Sequence, residues 1–191
     1  MRVDWIDDAG EGPVGMPAAM AGFRDRRTLL ADLAGRALGG PVAIRHREGF
    51  APRLPDDAVR VSCASREGLA AAAIARGPVG IDVEAVVAID PPYVVLHPDE
   101  ARFLRALLPD KVPRGFARLW AVKEAYLKAL RRGLSREPST FCVTLLADGA
   151  RIDDPGQGGA LVETRWVSRG VREWAVAVVL LPSPEWERGR G

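Results

Sequence analysis

Two short stretches of this chain place acids and a base at spacings suited to a metal-bound phosphate. The first is Val79-Gly80-Ile81-Asp82-Val83-Glu84. Apolar and acidic residues alternate here with the period of a β-strand, so Ile81 and Val83 face one way and Asp82 and Glu84 the other. Two carboxylates so placed lie about 7 Å apart. They repel unless something positive comes between them, and a hard divalent cation with oxygen ligands is the natural choice. The plainer alternative is a solvent-facing strand edge. The second stretch, residues 119–134, reads LWAVKEAYLKALRRGL. Leu119, Trp120, Leu127 and Leu130, with Phe116 upstream, fall at helical spacing and make an apolar stripe. Glu124 and Lys128 are four apart and share one side of that helix. As an ordinary surface pair they would contribute only about 0.2–0.5 kcal/mol. The chain has 27 basic residues, yet its only lysines are Lys111, Lys123 and Lys128. Two of them fall in this helix, where a compact ammonium meets a phosphate differently from an arginine fork.

The elements that must position these groups can be read in outline. Residues 1–21 are rich in Gly, Pro, Ala and Asp and read as a flexible lead-in. A helix is expected over 23–38, ended by Gly39-Gly40. Residues 42–47 and 59–63 alternate as strands, with a Pro-rich turn region at 49–55 between them. The alanine-rich segment 68–76 favours helix by propensity. It is short, however, and Gly77-Pro78 turns it into an obvious strand, so a strand in a hairpin is expected. His97-Pro98-Asp99-Glu100 reads as a helix start, with Pro98 at the first position and acids in the first turn. That helix should run to about residue 108. The Lys–Glu helix follows from about residue 114 and ends at Gly133. Strands are expected at 140–147, 160–168 and 171–181, the last two as a hairpin across Arg169-Gly170. Residues 174–181 are almost wholly apolar, which suits a central or doubly covered strand. Residues 182–191 read as a flexible tail. The order of elements implies an α+β fold with mainly antiparallel sheet.

Composition narrows the function classes. With 191 residues and 48% hydrophobic content the chain can bury a substantial core. A net charge of +2 gives no polyanion-binding surface, so nucleic acid is not an expected partner. The acidic start, MRVDWIDDAGEG, has no signal-peptide pattern. No run of ~18 apolar residues could span a membrane. Cys63 and Cys142 are too few for a disulfide framework, and free thiols in a cytoplasmic protein are expected. His46 and His97 are the only histidines, and with so few cysteines a zinc site is not expected.

Taken together, the two stretches resemble the hallmark motifs of the 4′-phosphopantetheinyl transferases, (V/I)G(V/I)D(V/I)E and (F/W)-small-x-K-E-(A/S)-x-x-K. They stand here as VGIDVE at 79–84 and WAVKEAYLK at 120–128. Glu100, the RGLS of 132–135 and the strand after it are also similar, and the likeness extends roughly over 24–181. The helix and strands ahead of VGIDVE resemble the Sfp type, as a short member, rather than the small trimeric holo-acyl-carrier-protein synthase type. The resemblance implies a monomer of two similar halves related by a pseudo-twofold, here 22–90 and 91–181. It implies coenzyme A as substrate, Mg²⁺ as cofactor and an apo acyl or peptidyl carrier protein of a biosynthetic pathway as partner. A carrier serine would attack the phosphorus next to the pantetheine and release 3′,5′-ADP. By match of motif, Asp82, Glu84 and Glu124 would hold Mg²⁺, and Lys128 would contact the phosphate and stabilise the leaving group. Lys123 would support the same region, and Glu124 or Glu100 would take the serine proton. The family's Ser-His-Ser stretch stands here as Cys63-Ala64-Ser65-Arg66, and its Gly-Lys-Pro segment as Gly49-Phe50-Ala51-Pro52-Arg53. Both normally contact coenzyme A, so Arg27, Arg53, Ser65 and Arg66 are the candidate replacements. The alternatives are a degenerate relative that binds carrier protein without catalysis, and an Mg²⁺-dependent hydrolase of a pyrophosphate.

Overall fold

The computed structural model describes residues 4–7, 18–47, 51–56, 59–131 and 135–182. Helix α1 (Arg26–Leu38) starts where the Asp25 side chain accepts from the backbone N–H of Arg27 and Thr28. It stops at Gly39, whose φ of 78° lies in the left-handed region that favours glycine. Its buried residues Leu29, Leu30, Leu33 and Ala34 cover one face of a four-stranded sheet. That sheet runs β1 (Asp4–Asp7), β2 (Ala18–Gly22), β4 (Leu69–Ala75), β3 (Arg60–Arg66). Strands β3 and β4 form a hairpin across Glu67 and Gly68, both at positive φ as a two-residue primed turn requires.

Every residue of β4 is buried. Ala70, Ala72 and Ile74 pack under α1, while Leu69, Ala71, Ala73 and Ala75 face a second sheet. The alanines let helix and sheets close on both sides of one strand, and this burial overrides their helix propensity. The second sheet runs β5 (Val79–Ala85), β9 (Arg172–Leu180), β8 (Leu161–Arg169), all antiparallel. Ile81 and Val83 of β5 join Val176, Val178 and Leu180 of β9 against the first sheet. On the opposite face Ala175, Ala177 and Val179 pack under α3 (Val112–Ala129). The result is four layers, a helix outside each of two sheets that face one another. Helix α2 (Pro98–Arg105) sits beside the start of α3 over a smaller core of Leu96, Ala101, Leu104, Phe116 and Leu119. A separate hairpin of β6 (Cys142–Leu145) and β7 (Ala150–Asp153) lies beyond α3.

The α+β class and the antiparallel sheets agree with the sequence reading, and β9 is central and covered on both faces, as its apolar run implied. Several details differ. The lead-in expected over 1–21 contributes β1 and β2, and β2 pairs with β4 because Ala19 and Met20 are fully buried. Residues 42–47 make only one bridge, Arg45 to Arg53, instead of a strand. The division at residue 90 would put β5 in the first half, but its hydrogen-bond partner is β9. Helix α2 ends at Arg105 and α3 ends at Ala129. Strand β7 was not expected, since only a short alternation marks it. Gly133 with most of the RGLS segment, Gly49-Phe50 and the tail beyond 182 lie outside the described residues. Among the described residues, no helix is long and apolar enough to cross a membrane.

Helix α3 touches β5 backbone to backbone. A Cβ on Gly80 would sit 1.9 Å from the Ala125 carbonyl oxygen and 2.6 Å from the Ala129 nitrogen. Neither is a flexible group that can give way. Gly80→Ala should therefore force α3 off the sheet and destabilise the protein by about 3 kcal/mol or more, read from urea denaturation. Unchanged stability would contradict this packing.

Candidate functional site

The close contact at Gly80 sets the next residues of β5 directly beneath α3. Asp82 is buried, and its Oδ1 accepts from Lys128 Nζ at 2.5 Å. Lys128 also donates to the Ile81 carbonyl at 3.3 Å. The other Asp82 oxygen, Oδ2, is buried with no hydrogen-bond partner. Glu84, on the same strand face, pairs with Arg66 Nε at 3.3 Å. Arg66 can reach it because β3 runs beside β5, fixed there by the Ile81 N–H donating to Ser62 Oγ at 3.1 Å.

The electrostatics of this face are those of carboxylates short of positive charge. Burial pushes the Asp82 carboxyl up, with Lys128 opposing. Burial, and then the Asp82 charge, also push Glu124 up. Glu84 is pushed up to about 7 by burial first and then by Asp82, with Arg66 and Lys128 opposing and Glu124 adding to the rise. The donor set is all oxygen, and one buried oxygen is unpartnered, so the residues fit a hard cation such as Mg²⁺. They have not closed on one point. The trio of ligand atoms found within 4.8 Å of one another among the described residues is His97, Asp99 and Cys142. Lys128 and Arg66 hold Asp82 and Glu84 instead.

Three cations from two helices act on the β3 thiol. Cys63 on β3 is raised by burial, while the charges of Arg26, Lys128 and Arg27 oppose that rise. His46 is lowered by burial and by Arg27 and Arg26. The start of α1 and the end of α3 therefore bring Arg26, Arg27 and Lys128 to one side of the molecule. Arg27 and Arg66 were anticipated from sequence. Arg26 and His46 were not, because nothing distinguishes Arg26 from its neighbours until α1 is laid beside β3. Ser65 is exposed at the end of β3, and Arg53 is exposed with its backbone bonded to Arg45.

Two expected site residues are placed elsewhere. Glu100 and Lys123 are fully buried and paired with each other at 2.6 Å. Lys123 also donates to the Phe141 carbonyl at 3.0 Å and lies over the Phe141 ring. Glu100 Oε1 also accepts from the Val143 N–H at 2.7 Å, and Oε2 from the His97 N–H at 2.8 Å. With both oxygens bonded and the side chain enclosed, Glu100 is out of a substrate's reach. Its role is to cap α2 and fasten it to α3 and β6. Burial lowers the Lys123 ammonium, with Glu100 opposing, and this lysine belongs to the core.

Residues 78–179 match the family model described as the 4′-phosphopantetheinyl transferase superfamily, and the chain belongs to that superfamily. A 4′-phosphopantetheinyl transferase of Bacillus subtilis is 32% identical over 136 residues, which cover 64% of this chain and 60% of that protein. The chain thus matches about three fifths of the length of this curated relative. A holo-[acyl-carrier-protein] synthase of Thermotoga maritima is a distant structural likeness, with a TM-score of 0.41 and 21% identity. It covers 59% of this chain and 73% of its own.

Two measurements check the geometry. Removing one partner of a buried ion pair strands the other, so Lys123→Met should cost about 3–5 kcal/mol. Part of that loss should return in the double variant Glu100→Gln/Lys123→Met. A Lys123→Met protein as stable as wild type would contradict the pairing. The second concerns pH. Glu84 ionises at an ordinary 4.5 in the unfolded chain but only at about 7 when folded. Above the lower value the unfolded state holds fewer protons, so metal-free stability should fall as pH rises through this window. The loss is at most about 3 kcal/mol, and Glu84→Gln should reduce it, as read by denaturation at about pH 5 and about pH 8. An equal slope in the variant would contradict the assignment.

Proposed function

We propose that the chain transfers the 4′-phosphopantetheine arm of coenzyme A to a serine of an apo acyl or peptidyl carrier protein, releasing 3′,5′-ADP. The observation that carries this reading is the buried Asp82 with an unpartnered oxygen beside Lys128. The name of the Bacillus subtilis relative supports the same class of reaction. Asp82, Glu84 and Glu124 would hold Mg²⁺, which when bound neutralises charge on the coenzyme A pyrophosphate. The Lys128 ammonium, now on Asp82, is within reach of the same region and would stabilise the leaving phosphate. Arg26, Arg27 and Arg66 would receive the remaining phosphate charge. Glu100 being enclosed in the core, Glu124 is left to accept the serine hydroxyl's proton on a carboxylate oxygen. Such a base typically contributes about 10²–10⁴-fold.

The partner would dock where α2, the start of α3 and the connection before them form a groove of about 540 Å³. Ile89, Tyr93, Leu104 and Leu107 line it, and Arg105 lies over the Tyr93 ring. Exposed Val94, Phe103 and Leu108 give apolar contact, and the arginine suits an acidic carrier domain. An Sfp-type monomer acting in the cytoplasm on carrier domains of a biosynthetic pathway is the form of this function we favour.

The loss of the family's histidine and lysine, with Ser65 and Arg53 in those segments, favours a second reading: a relative that binds carrier protein without catalysis. Intact mass after incubation with coenzyme A, Mg²⁺ and apo carrier protein separates the possibilities. A holo mass supports transfer. An unchanged mass supports binding alone, and 3′,5′-ADP release without modification supports a hydrolase. Asp82→Ala or Glu124→Ala should lower transfer by at least about 10²-fold with the fold intact, because each relieves repulsion among the three acids. Full activity in either variant, or in excess chelator, would contradict the proposal.

A further inference from the structure

Strand β5 has one hydrogen-bonding edge taken by β9. Its other edge runs beside β3, and among the described residues no backbone ladder joins the two. A buried N–H on that edge still needs an acceptor. At Ile81, which is fully buried, the acceptor is a side chain: the N–H donates to Ser62 Oγ at 3.1 Å. Ser62 is buried too, and its neighbour across β3 and β4 is the small Ala73. A hydroxyl so enclosed is costly unless it is bonded.

The same residue is held at its other end. The Ile81 carbonyl accepts from Lys128 Nζ at 3.3 Å, and that ammonium also donates to Asp82 Oδ1 at 2.5 Å. Ile81 is thus bonded at its N–H to β3 and at its C=O to α3, and the next residue is Asp82. The register of β3 against β5 that joins Ser62 to Ile81 also brings Arg66, four residues further along β3, to Glu84 at 3.3 Å. One hydroxyl therefore stands behind two acids and both of their cationic partners.

We infer that Ser62 is a positioning residue of the Asp82 cleft: by accepting the Ile81 N–H it sets Asp82 against Lys128 and Glu84 against Arg66. The inference rests on the transferase reading and adds to it a residue that touches neither substrate nor ion and acts through the Ile81 backbone. Without the hydroxyl the Ile81 N–H is stranded in the seam, and β5 must shift or admit water to satisfy it. Either change moves carboxylates that have to converge on one ion. Losing such an outer partner typically costs a metal site about 10–100-fold in affinity or activity. Nothing in the sequence distinguishes Ser62 from Ser65 until β3 is laid beside β5.

The test compares wild type with Ser62→Ala, Ser62→Thr and Ser62→Val in the whole protein. Threonine keeps the hydroxyl, and valine has nearly its shape without one, so this pair separates the bond from the packing. Amide hydrogen exchange should show the Ile81 N–H at least about tenfold less protected in Ser62→Ala and Ser62→Val. In calorimetry with coenzyme A present, both should bind Mg²⁺ at least about tenfold more weakly than wild type. Ser62→Thr should bind it more tightly than Ser62→Val. In the transfer assay kcat should fall with the metal affinity while KM for carrier protein stays unchanged. Leu33→Val, which opens space under α1, should lower the melting temperature and leave Mg²⁺ affinity alone, as a merely structural loss would. Ser62→Ala with the Ile81 protection or the Mg²⁺ affinity of wild type, or Ser62→Thr and Ser62→Val alike, would overturn the inference and leave the transferase reading standing. A wild type that neither binds Mg²⁺ nor transfers the arm would overturn that reading, and this inference with it.

Discussion

The contact between α3 and β5 at Gly80 is the constraint on which the cleft depends. Any side chain at that position would meet the Ala125 carbonyl and the Ala129 nitrogen. Without one, helix and strand lie backbone to backbone, and a residue two positions along the strand comes opposite a residue three positions along the helix. These are Asp82 and Lys128. The covering of Asp82 that removes it from water is the same covering that raises its carboxyl. The inter-sheet bond from Ile81 to Ser62 then fixes β3 alongside and brings Arg66 to Glu84.

Two lysines five residues apart on one helix have opposite electrostatic outcomes. Lys123 is enclosed, bonded to a carboxylate and a carbonyl, and lies over an aromatic ring. Its partner Glu100 has both oxygens occupied. Such a pair holds one geometry, because removing either member strands a charge in the core. Lys128 is about one third exposed and faces a carboxylate with a spare buried oxygen, next to two further acids whose carboxyls are pushed up. Acids so short of positive charge are what the proposed cation site requires. On the proposed reading, the contrast separates scaffold from chemistry within a single motif.

The sequence made the cleft legible to the extent that its logic is local. Alternation in 79–84 put Asp82 and Glu84 on one face, and helical spacing put Glu124 and Lys128 on one side. The apolar run of β9 announced a covered strand. What escaped was decided at long range. Glu100 and Lys123 carry charges suited to a cleft, but pairing across 23 residues of sequence took them into the core. Strand β2 has no strong strand signal in Ala-Ala-Met-Ala-Gly and exists because β4 offers it a partner. Arg26 resembles every other arginine until α1 is placed beside β3.

The claim that Asp82, Glu84 and Glu124 act as one cation site meets its most direct test in calorimetry. Mg²⁺ is titrated into wild type and Asp82→Ala near pH 7 with coenzyme A present and carrier protein absent. The account predicts one equivalent bound to wild type, with protons released as Glu84 ionises, and loss of that event in the variant. Equal binding by both proteins, or binding without proton release, would contradict it.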